Sequence, residues 1–336
     1  MKIFDKDLEN DPVIVAEIGV NHEGCLKKAC ALVESAASAG ADAVKFQTYT
    51  PSRYASSTDP DRLSRVTKFS LEISEFKVLA DLARSLNIGF FSTPITEDVV
   101  SDLNEFIDVF KIASGDLTFE PVIRAVARTE KPFLLSTGLG TLPEIDQAVS
   151  WVSEEIGQAK LRDRLVIMHC VVAYPTPIDE ANVRSVPFLA DRYNVFAGFS
   201  SHVIGIEPSL AAIANGASVI EVHFTDDKYG REFRDHELSL DESDLRRLVK
   251  AAPIIKASLG NPGKQRHPSE LPLLELARKG VVASKNLKAG VVLVDEDLMF
   301  ARPATEFPAC DVEKVIGRRL LVDLKRGELI PRSGLA

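Results

Sequence analysis

Polar and ionisable side chains lie at or near the carboxyl ends of short apolar segments throughout this chain. Two of these segments also contain a lysine. Burial of the ammonium groups of Lys45 and Lys111 is costly unless an anion meets them. With the hydroxyls of Thr93, Ser114 and Ser136, the two lysines could cradle a small polyanion such as a phosphate-bearing acid. The alternative is that each lysine extends to the rim of the fold as a structural cation.

Two histidines suggest a second kind of chemistry. His202 and His223 end neighbouring apolar segments, so their imidazoles could converge on one divalent metal ion. Two histidines without thiolates, with Glu17 nearby, suit an open octahedral site for Mn²⁺ or a similar ion, completed by water and substrate oxygens. A pair of hydrogen-bonded histidines without a metal is the structural alternative. His169 and Cys170 are interpreted as structural residues and are left out of this site.

The segments that must position these side chains are continuous apolar runs rather than alternating ones, as expected for parallel strands covered on both faces. They are Val13–Ile18, Ala41–Phe46, Ile88–Ser92, Val109–Ala113, Phe133–Ser136, Leu165–Cys170, Val195–Phe199 and Val219–Phe224. Six helices are predicted between or after them: Leu26–Ala39, Ser74–Leu86 with Ser74 as N-cap, Val122–Arg128, Pro143–Ile156, Pro208–Asn215 and Asp241–Ser258. This alternation predicts a (β/α)8 barrel, with a doubly wound open sheet as the structural alternative.

Side chains alternate between the two faces of a strand, and this alternation places several of the candidate residues on a shared face. Val219, Glu221 and His223 share one face of the last strand, and on the second strand Lys45 and Gln47 share another. In a barrel the functional groups gather at the carboxyl ends of the strands, so we expect these side chains to meet at one mouth.

Composition restricts the class of protein. The 336 residues are 45% hydrophobic and 26% charged, and 40 Lys and Arg against 49 Asp and Glu leave a net charge of −9. That balance argues against a general binder of nucleic acid or anionic membranes.

No apolar run approaches the roughly 18–20 residues of a membrane span, and Pro12 and acidic residues interrupt the N-terminus where a signal peptide would need an apolar stretch. The four cysteines form no CxxC pair. We expect a soluble cytoplasmic protein.

The pattern changes after residue 260. Residues 261–272 are rich in Gly, Pro and polar side chains and are predicted to be a linker between a barrel domain, 1–260, and a second domain, 273–336. The second domain is predicted to be small and mostly β, from short segments at Gly280–Ala283, Val291–Val294 and Leu320–Val322. At about 60 residues such a domain is marginally stable alone and would gain from docking on another surface.

Several motifs in one order give a resemblance to a known family. They are Ala16-Glu17-Ile18-Gly19-Val20-Asn21-His22-Glu23-Gly24, Lys45-Phe46-Gln47-Thr48, Ser92-Thr93-Pro94, Lys111-Ile112-Ala113-Ser114-Gly115-Asp116, Ser136-Thr137-Gly138, His169-Cys170 with Tyr174-Pro175-Thr176, Gly198-Phe199-Ser200-Ser201-His202, and Glu221-Val222-His223-Phe224-Thr225 with Asp235-His236. In this order they resemble the sialic acid synthases. The tail from Ala283 to Leu329, with Arg302-Pro303 inside it, resembles the antifreeze-like (SAF) domain of those enzymes.

The resemblance implies that phosphoenolpyruvate condenses with the open-chain aldehyde of an N-acylated amino sugar to give a nonulosonic acid and phosphate. It implies a divalent metal, Mn²⁺ or else Mg²⁺ or Co²⁺, on His202 and His223, and a proton- or water-directing role for Glu17. Phosphoenolpyruvate would be held by Lys45, Thr93, Lys111, Ser114, Ser136 and Ser200. The sugar would face Gln47, Tyr174, Glu221 and Asp235, with Arg302 reaching the acyl amide from the partner subunit of a domain-swapped homodimer.

Some positions depart from the family pattern. Val171 and Val172 stand where the family places Thr and then Ser or Asn, and Ser201 stands where Asp is usual. These changes leave the sugar open between N-acetylmannosamine and a diacetamido hexose that leads to legionaminic or pseudaminic acid. Arg231 and Arg234 keep open a related synthase that uses a phosphorylated sugar. A non-catalytic sugar-binding protein is the alternative of another class.

Overall fold

The computed structural model describes residues 1–231 and 235–336. The contacts within the chain divide it into two compact units, Met1–Gly260 and Asn261–Ala336. None of the helices in the described residues is long and apolar enough to cross a bilayer.

The first unit is a closed barrel of eight parallel strands in which each strand pairs with the next along the chain and the last pairs with the first. The barrel strands are β3 (Val13–Gly19), β4 (Ala43–Thr48), β5 (Gly89–Pro94), β6 (Phe110–Ile112), β7 (Phe133–Ser136), β8 (Leu165–Cys170), β9 (Phe196–Ser201) and β10 (Val219–His223). A short antiparallel hairpin, β1 (Lys2–Ile3) and β2 (Lys6–Asp7), precedes them. The (β/α)8 prediction is confirmed, and the open-sheet alternative is wrong because the sheet closes on itself.

Helices follow the strands and cover the outside of the barrel. The α-helices of the first unit are α1 (Leu26–Ala39), α2 (Pro51–Tyr54), α3 (Pro60–Phe69), α4 (Ile73–Ser85), α5 (Val100–Asn104), α6 (Glu120–Ala127), α7 (Leu142–Ile156), α8 (Leu161–Arg164), α9 (Ser185–Tyr193), α10 (Glu207–Ala214), α11 (Asp235–Leu238) and α12 (Glu242–Leu259). Short 3₁₀ turns lie at Glu97–Val99, Ser114–Asp116, Gln158–Lys160 and Ile178–Glu180.

The pleat of each strand divides its side chains between two cores. On β3 the outward Ile14, Ala16 and Ile18 pack with the helices, whereas the inward Val13 and Val15 belong to a smaller core inside the barrel. That inner core lies toward the amino ends of the strands, and the N-terminal hairpin covers it. The next inward positions toward the carboxyl ends are ionisable, so the apolar bottom of the barrel supports a polar mouth.

One close contact joins the hairpin to the barrel. The Phe4 ring lies 5.4 Å from the Phe91 ring, centroid to centroid. A Cβ at Gly89 would lie 2.2 Å from the Phe4 ring, so a larger residue at Gly89 would displace the hairpin. This contact explains why a glycine begins strand β5.

The helix predictions were incomplete, because helices α2, α3, α5, α8, α9 and α11 of the first unit were missed. Helix α3 has Asp59 as its N-cap, but its residues are mostly exposed and Val66 is its one buried residue. Ser74 was wrong as the N-cap of α4, because Glu72 caps this helix and forms a capping box with Glu75. The local hydrogen bonds of Glu72 and Glu75 satisfy the first amide groups, so the helix begins two residues earlier than predicted.

The second unit contains an antiparallel pair, β11 (Gly280–Ala283) and β12 (Leu298–Ala301), and helix α13 (Leu274–Ala277). The predicted strands Val291–Val294 and Leu320–Val322 contribute isolated bridges rather than named strands. Short 3₁₀ helices occupy Pro268–Leu273, Asp295–Asp297, Ala309–Lys314 and Arg332–Gly334. Val281, Leu293 and Leu320 are buried in its own apolar core, so the unit has a core separate from the barrel.

Candidate active site

A cleft of about 490 Å³ lies at the carboxyl ends of the barrel strands. Twelve of the side chains predicted from the sequence line it: Glu17, Lys45, Gln47, Lys111, Ser114, Ser136, Tyr174, Ser200, His202, Glu221, His223 and Asp235. Thr93 lies beneath the cleft, where its hydroxyl accepts a hydrogen bond from the Lys45 ammonium at 3.0 Å. Arg302 follows strand β12 in the second unit, and its predicted contact with the acyl amide stays a prediction.

Strand register brings the charged members together. Glu17 on β3 is level with Lys45 on β4 and with His223 on β10, and Glu221 is level with Ser200 on β9. The register of β3 with β4 shifts between Glu17 and Gly19, and the pairing continues from Gly19 to Phe46. Residues from four strands therefore meet at the mouth.

Two lysines and two glutamates form a buried ionic quartet, namely Glu17, Lys45, Lys111 and Glu221. The Lys45 Nζ lies 2.8 Å from the Glu17 Oε2 and 3.9 Å from the Glu221 Oε2. The Lys111 Nζ lies 3.0 Å from the Glu221 Oε1, which also accepts a hydrogen bond from the Ser200 hydroxyl at 2.9 Å. The quartet carries two charges of each sign when all four groups are ionised, so it can be buried without a net charge.

The two carboxyl groups of the quartet differ in proton affinity. Burial raises the pKa of Glu17, and the opposing attraction of Lys45 only partly offsets it. Burial acts in the same direction on Glu221, but the ammonium groups of Lys111 and Lys45 outweigh it and hold the Glu221 pKa well below its usual range. Glu17 is therefore the member of the quartet that takes up a proton more readily, and Glu221 is the fixed anion.

This arrangement changes the interpretation of the lysines. Lys45 and Lys111 are each 3% exposed, so neither extends to the rim of the barrel and the structural-cation alternative is wrong. The carboxylates that pair with Lys45 and Lys111 are Glu17 and Glu221. These pairings were not predicted from the sequence. An added anion would share these ammonium groups with the protein's own carboxylates.

Hydroxyl and amide groups complete one side of the cleft. Ser114 accepts a hydrogen bond from the Gly138 backbone N–H at 3.1 Å, while the Ser136 hydroxyl is buried and makes no hydrogen bond to any described residue. A Cβ at Gly138 would lie 2.6 Å from Val172 and 2.7 Å from the Ser114 hydroxyl. The loop after β7 therefore approaches Ser114 closely because residue 138 is glycine.

The two histidines lie together as the sequence predicted. Their ring centroids are 5.2 Å apart, and Tyr174 stacks 4.2 Å from the His202 ring. His202 Nδ1 donates to the Val171 carbonyl at 2.7 Å, which leaves Nε2 with a free lone pair. Burial lowers the pKa of both imidazoles, so both are neutral near pH 7.

These imidazoles fit a divalent cation, since neutral nitrogen is what such an ion binds. The Nδ1 of His223 is buried and has no hydrogen-bond partner among the described residues. Within the described ranges no group of three or more His, Cys, Asp or Glu side chains is arranged around one point. Any ion held by His202 and His223 would therefore take its other ligands from water or substrate.

The outer part of the cleft comes from loops and short helices that the sequence argument missed. Arg53, Tyr54 and Arg62 enter from α2 and α3, and Asp116 and Phe119 enter from the segment after β6. Burial raises the pKa of Asp116 to about 6. Among these residues Asp116 carried a sequence signal, as the last residue of the motif after Lys111. The segment containing α2 and α3 has few apolar residues and was not predicted to be helical.

The whole chain has counterparts among known proteins. The NeuB family model matches residues 32–264, and the SAF domain model matches residues 278–336. The chain is 35% identical to the N,N'-diacetyllegionaminic acid synthase of Campylobacter jejuni over 95% of this chain and 98% of that protein. It is 34% identical to the synthase of the same name from Legionella pneumophila, over 94% and 92%.

Among solved structures, the N-acetylneuraminic acid (sialic acid) synthetase of Leptospira borgpetersenii matches with a TM-score of 0.73 and 32% identity, over 79% of this chain and 91% of that chain. The matches in sequence span both units of the chain. The resemblance inferred from the ordered motifs is confirmed, and the chain belongs to the NeuB family, with a SAF domain at its C-terminal end.

Proposed function

We propose that this protein condenses phosphoenolpyruvate with the open-chain aldehyde of an N-acylated amino sugar, giving a nonulosonic acid and inorganic phosphate. The observation that carries the proposal is the cleft in which the Glu17–Lys45–Lys111–Glu221 quartet lies beside two neutral imidazoles. The named synthases that it resembles support a catalyst rather than a sugar-binding protein without activity.

The enol phosphate would bind on the side of the cleft that carries Lys111, Ser114 and Ser136. Lys111 and Lys45 supply the positive charge, and the unpartnered Ser136 hydroxyl supplies a hydrogen-bond donor for a phosphate or carboxylate oxygen. Because Glu221 already pairs with Lys111, the ammonium is held in place before the ligand arrives. Preorganisation of this kind lowers the cost of ordering the site when the anion binds.

The reaction then needs proton control near the new bond. The enol C3 attacks the aldehyde carbon, the aldehyde oxygen takes up a proton, and water adds at C2 before the C–O bond to phosphate breaks. Glu17 lies at the height of the quartet with a raised pKa, so its carboxyl can hold or release a proton at Oε1 or Oε2. The Gln47 amide donates to the Glu17 Oε1 at 3.3 Å and restricts the orientation of the carboxyl.

We propose that His202 and His223 hold the divalent metal, with Mn²⁺ as the expected ion. A bound divalent cation supplies Lewis-acid polarisation of the acceptor carbonyl. The hydrogen bond from His202 to the Val171 carbonyl fixes the tautomer that leaves its Nε2 available. Tyr174 packs against the His202 ring and limits its rotation.

The acceptor is proposed to lie between Gln47, Tyr174 and Asp235, which line both the main cleft and a second cavity that adjoins it. The two legionaminic acid synthases favour a diacetamido hexose over N-acetylmannosamine. Val172 lines the cleft where the family pattern would place a polar residue, so this wall offers an apolar contact to the ligand.

A phosphorylated acceptor would need additional cationic groups. Arg231 already pairs with Glu23 and Asp226, at 3.4 and 3.1 Å, and does not line the cleft. Arg234 lies outside the described residues. Arg62 does line the cleft, so the sugar phosphate belongs in the substrate panel as a direct comparison.

We also propose that the active unit is a domain-swapped homodimer in which Arg302 reaches the acyl amide of the partner's substrate. Mixing the inactive variants Arg302→Ala and Lys111→Met tests this arrangement. Each mixed dimer would contain one complete site of two, so random mixing in equal amounts would restore about a quarter of all sites. No recovery after mixed refolding would contradict it. All four cysteines are free thiols, which supports a reducing compartment such as the cytoplasm.

The decisive experiment incubates the protein with phosphoenolpyruvate, Mn²⁺ and a panel of N-acetylmannosamine, its 6-phosphate and diacetamido trideoxyhexoses. Release of phosphate and a product mass equal to acceptor plus the three-carbon unit would support the proposal and identify the acceptor. If no sugar of the panel leads to phosphate release, the proposal is contradicted. Turnover of the 6-phosphate alone would favour the synthase that uses a phosphorylated sugar.

A further inference from the structure

The loop after strand β3 and the loop after β10 are joined by a buried hydrogen-bond network. His236, in helix α11, is fully buried, and its Nε2 lies 3.1 Å from the Glu23 Oε1. Its Nδ1 lies 2.7 Å from the Thr225 hydroxyl. The network thus links residues more than 200 positions apart, at the mouth that carries Asp235.

The chemistry of the partners fixes the direction of these hydrogen bonds. Burial opposes ionisation of Glu23, but Lys28 and then Arg231 hold its pKa below its usual range. A carboxylate only accepts, so His236 must carry its proton on Nε2, and Nδ1 must accept from the Thr225 hydroxyl. Glu23 therefore selects one tautomer and one ring orientation of His236.

Glu23 is itself held in an uncommon backbone conformation. Its φ is +54°, a left-handed value that non-glycine residues rarely adopt. The Nζ of Lys28 lies 3.3 Å from its Oε2, and the Nη1 of Arg231 lies 3.4 Å from its Oε1. A strained residue that carries three partners is a candidate for a functional role rather than a surface charge.

A second link from the same loop holds the segment around Asp235. The Asn21 amide donates to the Phe224 carbonyl at 2.9 Å and to the Ser239 hydroxyl at 3.1 Å. The Ser239 hydroxyl in turn donates to the carbonyl of Asp235. The backbone of Asp235 is therefore tied to the loop after β3 by Asn21 and through its neighbour His236 by Glu23.

We propose that Glu23 is a positioning residue for the acceptor subsite: through His236 and Thr225 it fixes the start of helix α11 and holds the Asp235 side chain in the cleft. The inference deepens the proposed function and rests on it for the identity of the ligand that Asp235 meets. Glu23 does not line the cleft, so it acts on the acceptor only through other residues.

The first test separates the two substrates. Glu23→Ala is expected to raise KM for the amino sugar about 10-fold, while KM for phosphoenolpyruvate changes less than 2-fold. Glu23→Gln retains an oxygen that accepts from His236 Nε2 and should stay within about 3-fold of the parent protein. Glu105→Ala removes an exposed carboxylate paired with Lys77 elsewhere on the barrel and serves as the matched control. Equal increases in both KM values, or failure of the glutamine variant to rescue, would overturn the proposal.

The second test asks whether Glu23 acts through Asp235. In an Asp235→Ala background, Glu23→Ala should add no further increase in the acceptor KM. A second increase of the same size would show that Glu23 acts elsewhere.

The third test does not depend on the substrate. Amide hydrogen exchange over residues 235–240 should become faster in Glu23→Ala and stay unchanged in Glu23→Gln and Glu105→Ala. Unchanged exchange in Glu23→Ala would overturn the proposal even if the parent protein turned over no sugar. Conversely, an inactive parent protein with the expected exchange pattern would contradict the proposed function alone.

Discussion

Replacement of Lys111 by methionine tests whether the buried quartet is held together by charge. At an effective dielectric constant of about 20, the Lys111–Glu221 pair at 3.0 Å corresponds to an attraction of about 5 kcal/mol. Lys111→Met would leave the buried Glu221 carboxylate with the Ser200 hydroxyl and with Lys45 at 3.9 Å. We expect the free energy of unfolding of the barrel unit to fall by about 3–5 kcal/mol at pH 7.

The chain offers a direct assay for this change. Trp151 is the only tryptophan and lies in helix α7, so its fluorescence during urea denaturation reports the barrel unit rather than the second unit. The control variant Lys77→Met removes an exposed ammonium paired with Glu105 and should shift the midpoint much less.

A double variant distinguishes lost charge pairing from lost packing. In Lys111→Met with Glu221→Met, no unpaired charge remains, so most of the lost stability should return. The pKa of Glu221 is held low in the parent protein, so its stabilising contribution is present above about pH 4.5 and disappears as pH falls further. The difference between the parent protein and Lys111→Met should therefore be largest near neutral pH. A loss below 1 kcal/mol, or a double variant as unstable as the single one, would refute the electrostatic account.

Three further outcomes are expected. Glu17→Gln should lower kcat roughly 100-fold or more with a smaller change in phosphoenolpyruvate affinity, and an unchanged kcat would argue against its proton-handling role. Chelation of metal should abolish turnover, and His202→Ala should weaken Mn²⁺ binding measured by electron paramagnetic resonance; unaltered binding would contradict the site. Burial lowers the pKa of His22 to about 4, so acidification from pH 6.5 to 4 should cost about 3 kcal/mol of stability, a slope that His22→Gln should remove.

The sequence by itself determined the barrel and most of its mouth. Continuous apolar segments with polar ends were enough to identify eight parallel strands, because strands buried on both faces contain few polar positions before their carboxyl ends. The period of two along β4 and β10 then placed Lys45, Gln47, Glu221 and His223 on inward faces. Local patterns of this kind depend only on neighbours along the chain.

Other features needed the tertiary structure. The pairing of Lys45 with Glu17 and of Lys111 with Glu221 depends on strand register, and the second of these pairs crosses the barrel between strands that are not neighbours. Helix α3 and its Arg62 were not predicted, since this mostly exposed helix contains few apolar residues. The hydrogen bond of Glu23 to His236 joins residues 213 positions apart. Sequence spacing determined which residues face inward, whereas closure of the barrel decided which charges meet, because electrostatic pairing depends on distances in space.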